Sequence, residues 1–133
     1  MPHAQTIAIV EDDASLSRAV SRLLRESGFE SQAFASAEDL LASPEPGTWP
    51  CLILDLQLPG MSGLALFEEL CLLAPPPPAI FITALDEGEL RDRAARIPDT
   101  ILLRKPMAGT DLLAAVRRQF HRSGVTVPES ATQ

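Results

Sequence analysis

The 133-residue sequence has no tyrosine, one tryptophan, two cysteines and two histidines. His3 and His121 lie near the chain ends, so no catalytic histidine is expected. Cys51 and Cys71 form no C-x-x-C pair. They read as core thiols of a protein in a reducing compartment, which points to the cytoplasm. No apolar run approaches the roughly 20 residues that cross a bilayer, and no membrane association is expected. The start, Met1-Pro2-His3-Ala4-Gln5, lacks the basic region of a secretory signal. Positive charge is scarce: 11 basic residues stand against 18 acidic ones, a net charge of -7. An acidic domain is a poor ligand for a phosphate backbone, and no zinc-finger spacing or basic stripe is present. Direct nucleic-acid binding is therefore not expected. A glycine-rich P-loop, a G-x-S-x-G elbow and an H-E-x-x-H pair are also missing, which argues against a nucleotide kinase.

What is present is alternation. Hydrophobic residues make up 46% of the chain, enough for one core and one domain. Short apolar runs, read as strands at Ile7–Val10, Cys51–Leu56, Ala79–Ala84 and Thr100–Leu103, are separated by helix-like segments. Glu30–Phe34 reads as a weaker edge strand. Ser15–Ser27 carries Leu16, Ala19, Val20, Leu23 and Leu24 at the spacing of one helical face, and Gly28 ends it. Ser36 suits an N-cap, with Asp39 as the acid three positions on. Further helices are expected over Leu64–Leu73, Asp86–Ile97 and Thr110–Arg122, the last burying Leu112, Leu113, Val116 and Phe120. Pro75–Pro78 reads as a stiff extended linker. Five such repeats predict an α/β fold, an open parallel sheet covered by helices on both faces. Residues 1–5 and 123–133 read as tails, the second as a flexible end or linker stump, around a domain at 6–122.

Four polar segments sit at or near the ends of apolar runs: Glu11-Asp12-Asp13, Asp55, Thr83 and Lys105-Pro106. In an open parallel sheet, ligands bind beyond the carboxyl ends of the strands. Asp55 can act as a nucleophile that forms an acyl phosphate. It then needs a cation to neutralise phosphoryl oxygens. Glu11 and Asp12 complete an oxygen-rich site, and Mg2+ suits it because it takes few protein oxygens and keeps several waters; Mn2+ is a substitute. Asp13 also suits a cap for the first helix. Thr83 can donate its hydroxyl to a phosphoryl oxygen, and Lys105 can supply a point charge. The Lys105-Pro106 pair also permits a cis bond.

These segments, with Ile9-Val10-Glu11-Asp12-Asp13, Leu54-Asp55-Leu56-Gln57-Leu58-Pro59-Gly60-Met61-Ser62-Gly63, Ile82-Thr83-Ala84 and Lys105-Pro106 in order, closely resemble the receiver domain of two-component response regulators. The resemblance covers about residues 6 to 121. It implies a flavodoxin-like (βα)5 domain, strand order 2-1-3-4-5, that is not a turnover enzyme. It implies that Asp55 takes a phosphoryl group from a sensor histidine kinase or a histidine phosphotransfer protein. Asp12 would bind Mg2+ directly, Glu11 through water, and the Gln57 carbonyl would be a further ligand. Thr83 and Lys105 would hold the phosphoryl oxygens. In the family, a shift of the threonine is coupled to an aromatic residue three positions before the lysine. Here that residue is Leu102, a departure that leaves no ring to swing. Gln57 and Leu85 occupy positions that tune phosphoryl lifetime in the family.

The output expected is a phosphorylation-controlled interaction surface built from Asp86–Ile97, Thr100–Leu103 and the last helix. It would meet a downstream effector protein or domain, or a second copy in a homodimer. Two other readings stand beside it. A metal-dependent phosphohydrolase also uses an aspartyl phosphate, but it needs a second acid shortly after the nucleophile, and position 57 is Gln. Asp55, Thr83 and Lys105 argue against a phosphorylation-independent interaction module of the same fold, which Leu102 leaves open. Trp49 is expected at the end of the third strand far from Asp55, and so a poor reporter of metal binding.

Overall fold

Successive residues of a strand point to opposite sides of a sheet, so strands that are apolar throughout must be covered on both faces. The computed structural model describes residues 5–73 and 75–124. Strands β1 (Thr6–Val10), β2 (Glu30–Phe34), β3 (Cys51–Asp55), β4 (Ala79–Thr83) and β5 (Ile101–Arg104) form one parallel sheet, ordered β2-β1-β3-β4-β5. Helices α1 (Ala14–Glu26), α2 (Ala37–Leu41), α3 (Gly63–Leu73), α4 (Glu89–Ala95) and α5 (Gly109–Ser123) alternate with them. This is the fold class and strand order expected from the sequence.

Alternation divides the interior in two. Ala8, Val10, Leu52, Leu54 and Phe81 share one core with Leu40 of α2, Leu64 and Phe67 of α3, and Ala94 of α4. Ile7, Ile9, Ile53, Ile80 and Ile82 share the other with Val20 and Leu24 of α1 and Val116 and Phe120 of α5. The chain leaves β1 for β2 on one side and later enters β3 on the other. That reversal opens a crevice at the carboxyl ends of β1 and β3.

Local chemistry fixes the helix starts. Asp13 Oδ1 accepts from the N–H groups of Ser15 (2.9 Å) and Leu16 (3.2 Å), so Asp13 caps α1. Ser36 Oγ accepts from the Asp39 N–H at 3.1 Å, the cap expected for α2. At α3 the constraint is steric. A Cβ on Gly63 would lie 2.1 Å from the backbone oxygen of Asp55, so only glycine lets α3 begin against the end of β3.

Several boundaries differ from expectation. α4 begins at Glu89, not Asp86, because Gly88 before it has φ 121° and Asp86 is held by Arg104. It ends before Pro98, whose ring disfavours helix at Ile97. β5 runs one residue later than read, ending on Arg104. Ala19 is exposed and Leu113 only half-buried. Gln119 is buried instead (1% exposed): its Nε2 donates to the backbone oxygens of Ala79 (2.7 Å) and Asp99 (3.0 Å). Trp49 enters β3 from the amino end as expected, but its buried ring meets Phe34 edge-on at 5.9 Å. The expected tails fall outside the described residues except Gln5, Gly124 and Ser123, the last residue of α5. His3 lies outside them too, and His121 is exposed on α5.

Candidate functional site

The carboxyl ends of β1, β3 and β5 bring their polar residues to one place. Glu11, just past β1, is 3% exposed and Asp55, the last residue of β3, is also 3% exposed; Asp12 faces solvent. Glu11, Asp12 and Asp55 each offer a carboxylate oxygen within 4.8 Å of the others. Lys105 reaches in from beyond β5: its Nζ donates to Glu11 Oε1 at 2.7 Å and to Asp55 Oδ2 at 2.9 Å. Burial disfavours the Lys105 ammonium, but hydrogen bonds and charge from Glu11 and Asp55 outweigh it, and its pKa is raised above the ordinary lysine value.

Backbone contacts hold these groups in register. The Glu11 N–H donates to the Phe34 carbonyl at 3.1 Å, and Glu11 Oε2 accepts from the Asp13 N–H at 3.2 Å. Asp55 Oδ1 accepts from the Gln57 N–H at 3.0 Å, while the Gln57 side chain is exposed. Asp13 stands apart from the acidic cluster, its carboxylate committed to the cap. Thr83 is buried at the end of β4 (1% exposed). Its Oγ1 accepts from the Leu85 N–H at 3.0 Å, and its carbonyl accepts from the Lys105 N–H at 2.7 Å. The Lys105-Pro106 bond is cis. Leu102 is not part of this cluster. It pairs with Phe81 in the sheet and packs, half-buried, into the core beneath α4.

Two features went unread in the sequence. Glu38 of α2 accepts from the Met61 N–H at 3.2 Å, which steadies the loop after Asp55. Arg104 pairs with Asp86. Both contacts join residues distant in the chain and carry no periodic signal.

The donor set is chemically coherent. Three carboxylates in oxygen-ligand geometry suit a small hard divalent cation, and the adjoining ammonium and hydroxyl suit an anion bound beside it. The cysteines take no part: Cys51 is fully buried and its thiol pKa is strongly raised by burial, and that of Cys71 is raised by burial and by Glu68.

Comparison with known proteins agrees with this arrangement. The model of the response regulator receiver domain matches residues 7–117. Nodulation protein W of Bradyrhizobium diazoefficiens is 40% identical over 110 residues, covering 83% of this chain and 48% of that protein. Response regulator protein TodT of Pseudomonas putida is 32% identical over 114 residues, 86% of this chain and 50% of that one. The chain thus spans about half the length of these relatives. Among solved structures, a CheY-like receiver domain protein from Methanospirillum hungatei superposes with a TM-score of 0.81 at 25% identity, covering 90% of this chain and 96% of that one. The match over most of the chain and the crevice it encloses lead to one conclusion: the chain belongs to the receiver domain family of two-component response regulators.

Proposed function

We propose that Asp55 accepts a phosphoryl group from the phosphohistidine of a sensor histidine kinase or a histidine phosphotransfer protein, and that this switches a protein-interaction surface. A carboxylate oxygen of Asp55 attacks phosphorus and a P–O bond forms. The P–N bond to the imidazole breaks, and its electron pair leaves on the ring nitrogen. The observation that carries this reading is the double hydrogen bond from Lys105 to Glu11 and Asp55 within a cluster of three carboxylates. A nucleophile, a fixed cation and oxygen ligands there share one crevice.

Glu11, Asp12, Asp55 and the backbone carbonyl of Gln57 would hold Mg2+, with Mn2+ as a substitute. The bound cation would neutralise charge on the phosphoryl oxygens. Lys105 would keep one of those oxygens by charge, and Thr83 would donate its hydroxyl to another. An apolar groove of about 610 Å³ between α1 and the start of α5, lined by Leu16, Leu23, Met107 and Leu112, runs up to Lys105. It offers the phosphohistidine-bearing partner a seat beside the site.

On this reading residues 6–122 form a cytoplasmic signalling domain, one that catalyses only its own phosphorylation and dephosphorylation. Among the described residues no helix is long and apolar enough to cross a membrane. The output surface is the face of α4, β5 and α5, which would meet an effector protein or domain or a second copy. The switch would act through Thr83, with Leu102 in place of a ring. The test is intact mass after incubation with Mg2+ and acetyl phosphate. One added phosphoryl group is expected, and none in Asp55→Asn. An unmodified wild type, or a modified variant, overturns the proposal.

A further inference from the structure

One side-chain pair outside the crevice joins the two segments that carry Thr83 and Lys105. Arg104 Nε lies 2.6 Å from Asp86 Oδ1, and its Nη2 donates to Asp86 Oδ2 at 3.1 Å. This is a two-pronged contact of guanidinium with carboxylate. Arg104 lies opposite Thr83 in the strand register. The next residue, Lys105, donates its N–H to the Thr83 carbonyl, and the Thr83 hydroxyl oxygen accepts from the N–H of Leu85, the neighbour of Asp86. Thr83, Leu85, Asp86, Arg104 and Lys105 therefore close a ring of contacts.

The loop within that ring is otherwise lightly held. Ala84, Asp86, Glu87 and Gly88 are all exposed, α4 begins only at Glu89, and nothing lies within 4 Å of a Cβ placed on Gly88. Turning the Thr83 hydroxyl draws on the Leu85 N–H. A backbone that follows it carries Asp86, the next residue, relative to Arg104. Leu102 has no polar group or ring with which to make such a link from inside the sheet.

We propose that the Arg104–Asp86 pair is a tether that holds the loop between β4 and α4 at rest, which makes both residues positioning residues for Thr83. The proposal rests on the reading of Asp55 as phosphoryl acceptor. A contact made only in the resting arrangement is subtracted from the affinity of any group that requires the other arrangement. Releasing the tether therefore favours the phosphoryl-bound form.

The test uses beryllofluoride with Mg2+ as a phosphoryl mimic, its affinity measured by calorimetry on the full chain. Asp86→Asn and Arg104→Gln are each expected to bind it about two- to fivefold more tightly than wild type, the range of an exposed ion pair. The exchanged pair, Asp86→Arg with Arg104→Asp, should return to the wild-type affinity. Added salt should narrow the gap between wild type and Asp86→Asn, because exposed charges are screened. Equal or weaker binding by the single variants, or an exchanged pair that behaves like them, overturns the tether. Failure of the wild type to bind the mimic, or equal binding by Asp55→Asn, instead overturns the assignment of Asp55 beneath it.

Discussion

Lys105 Nζ lies 2.9 Å from Asp55 Oδ2, so a side chain from beyond β5 spans β4 to reach the end of β3. The same ammonium holds Glu11 from the end of β1. The Glu11 and Asp55 side chains are almost fully buried, with 1% and 5% of their surface exposed, so they depend on Lys105 for compensation. Lys105→Met should lower stability by about 1–3 kcal/mol in the absence of divalent cations, the cost of stranding buried charged groups. Mg2+ should recover part of that loss. Urea denaturation with and without Mg2+ reads both effects, and an unchanged midpoint without the cation would count against the pairing.

The raised pKa of Lys105 gives this pair a direction in pH. The folded state holds the proton more tightly than the unfolded chain, so the contribution to stability is complete below the ordinary lysine value of about 10.4. It is lost as pH rises through the higher folded value. The stability of the wild type should therefore fall more steeply than that of Lys105→Met across the alkaline range. Parallel pH curves for the two proteins would contradict this.

Asp13 should be separable from its acidic neighbours. Asp13→Ala removes the α1 cap and should cost about 1 kcal/mol, while Mg2+ still raises the melting temperature. Asp12→Asn should keep the cap and lose most of the Mg2+ effect. For wild type, a cation at 100 times its dissociation constant adds about 2.7 kcal/mol. Thermal melts across a Mg2+ titration decide the matter, and an Asp13→Ala protein blind to Mg2+ would place Asp13 among the ligands.

Gly63→Ala tests the contact between α3 and β3. The added carbon would meet the Asp55 backbone oxygen at 2.1 Å, so the helix or the strand end must shift. A loss of at least about 2 kcal/mol is expected, with slower labelling by acetyl phosphate because Asp55 moves. Denaturation and labelling rates matching wild type would show that α3 adjusts freely.

Gln119→Leu should cost about 1–3 kcal/mol, since the Ala79 carbonyl loses its buried donor, while the Asp99 carbonyl keeps the Arg122 guanidinium. The measurement is again a urea midpoint. A variant as stable as wild type would mean that water replaces the amide.

Much of this was legible because apolar runs and polar ends obey separate rules. Runs such as Ile7–Val10 and Ala79–Ala84 read as strands covered on both faces, and the strand ends then gathered Glu11, Asp55 and Lys105 along one edge. Local reading failed where a distant residue intervened. Asp86 has the periodicity of a first helical turn, but Arg104, 18 residues on, holds it outside the helix. Leu113 looked like a core residue by its chemistry. The interior instead takes Gln119, because the buried Ala79 carbonyl at the amino end of the sheet takes its donor. Trp49 was placed by its backbone alone, and its ring extends to Phe34. The bond between Lys105 and two carboxylates at once is tertiary as well; the sequence suggested a cation in the crevice but not what it holds at rest.

The anchoring of α5 bears on where this chain can be cut. The family match stops at residue 117, yet Gln119 and Phe120 come later and are buried. Arg122 pairs with Asp99, the residue whose carbonyl Gln119 also holds. A fragment trimmed to the limits of sequence similarity would lose the Phe120 ring, which meets Phe29 at a tilt of 48° with ring centres 5.1 Å apart, and would uncover part of the side of the sheet away from α3. Excision for expression, or grafting onto an unrelated domain, should keep the helix whole through Ser123.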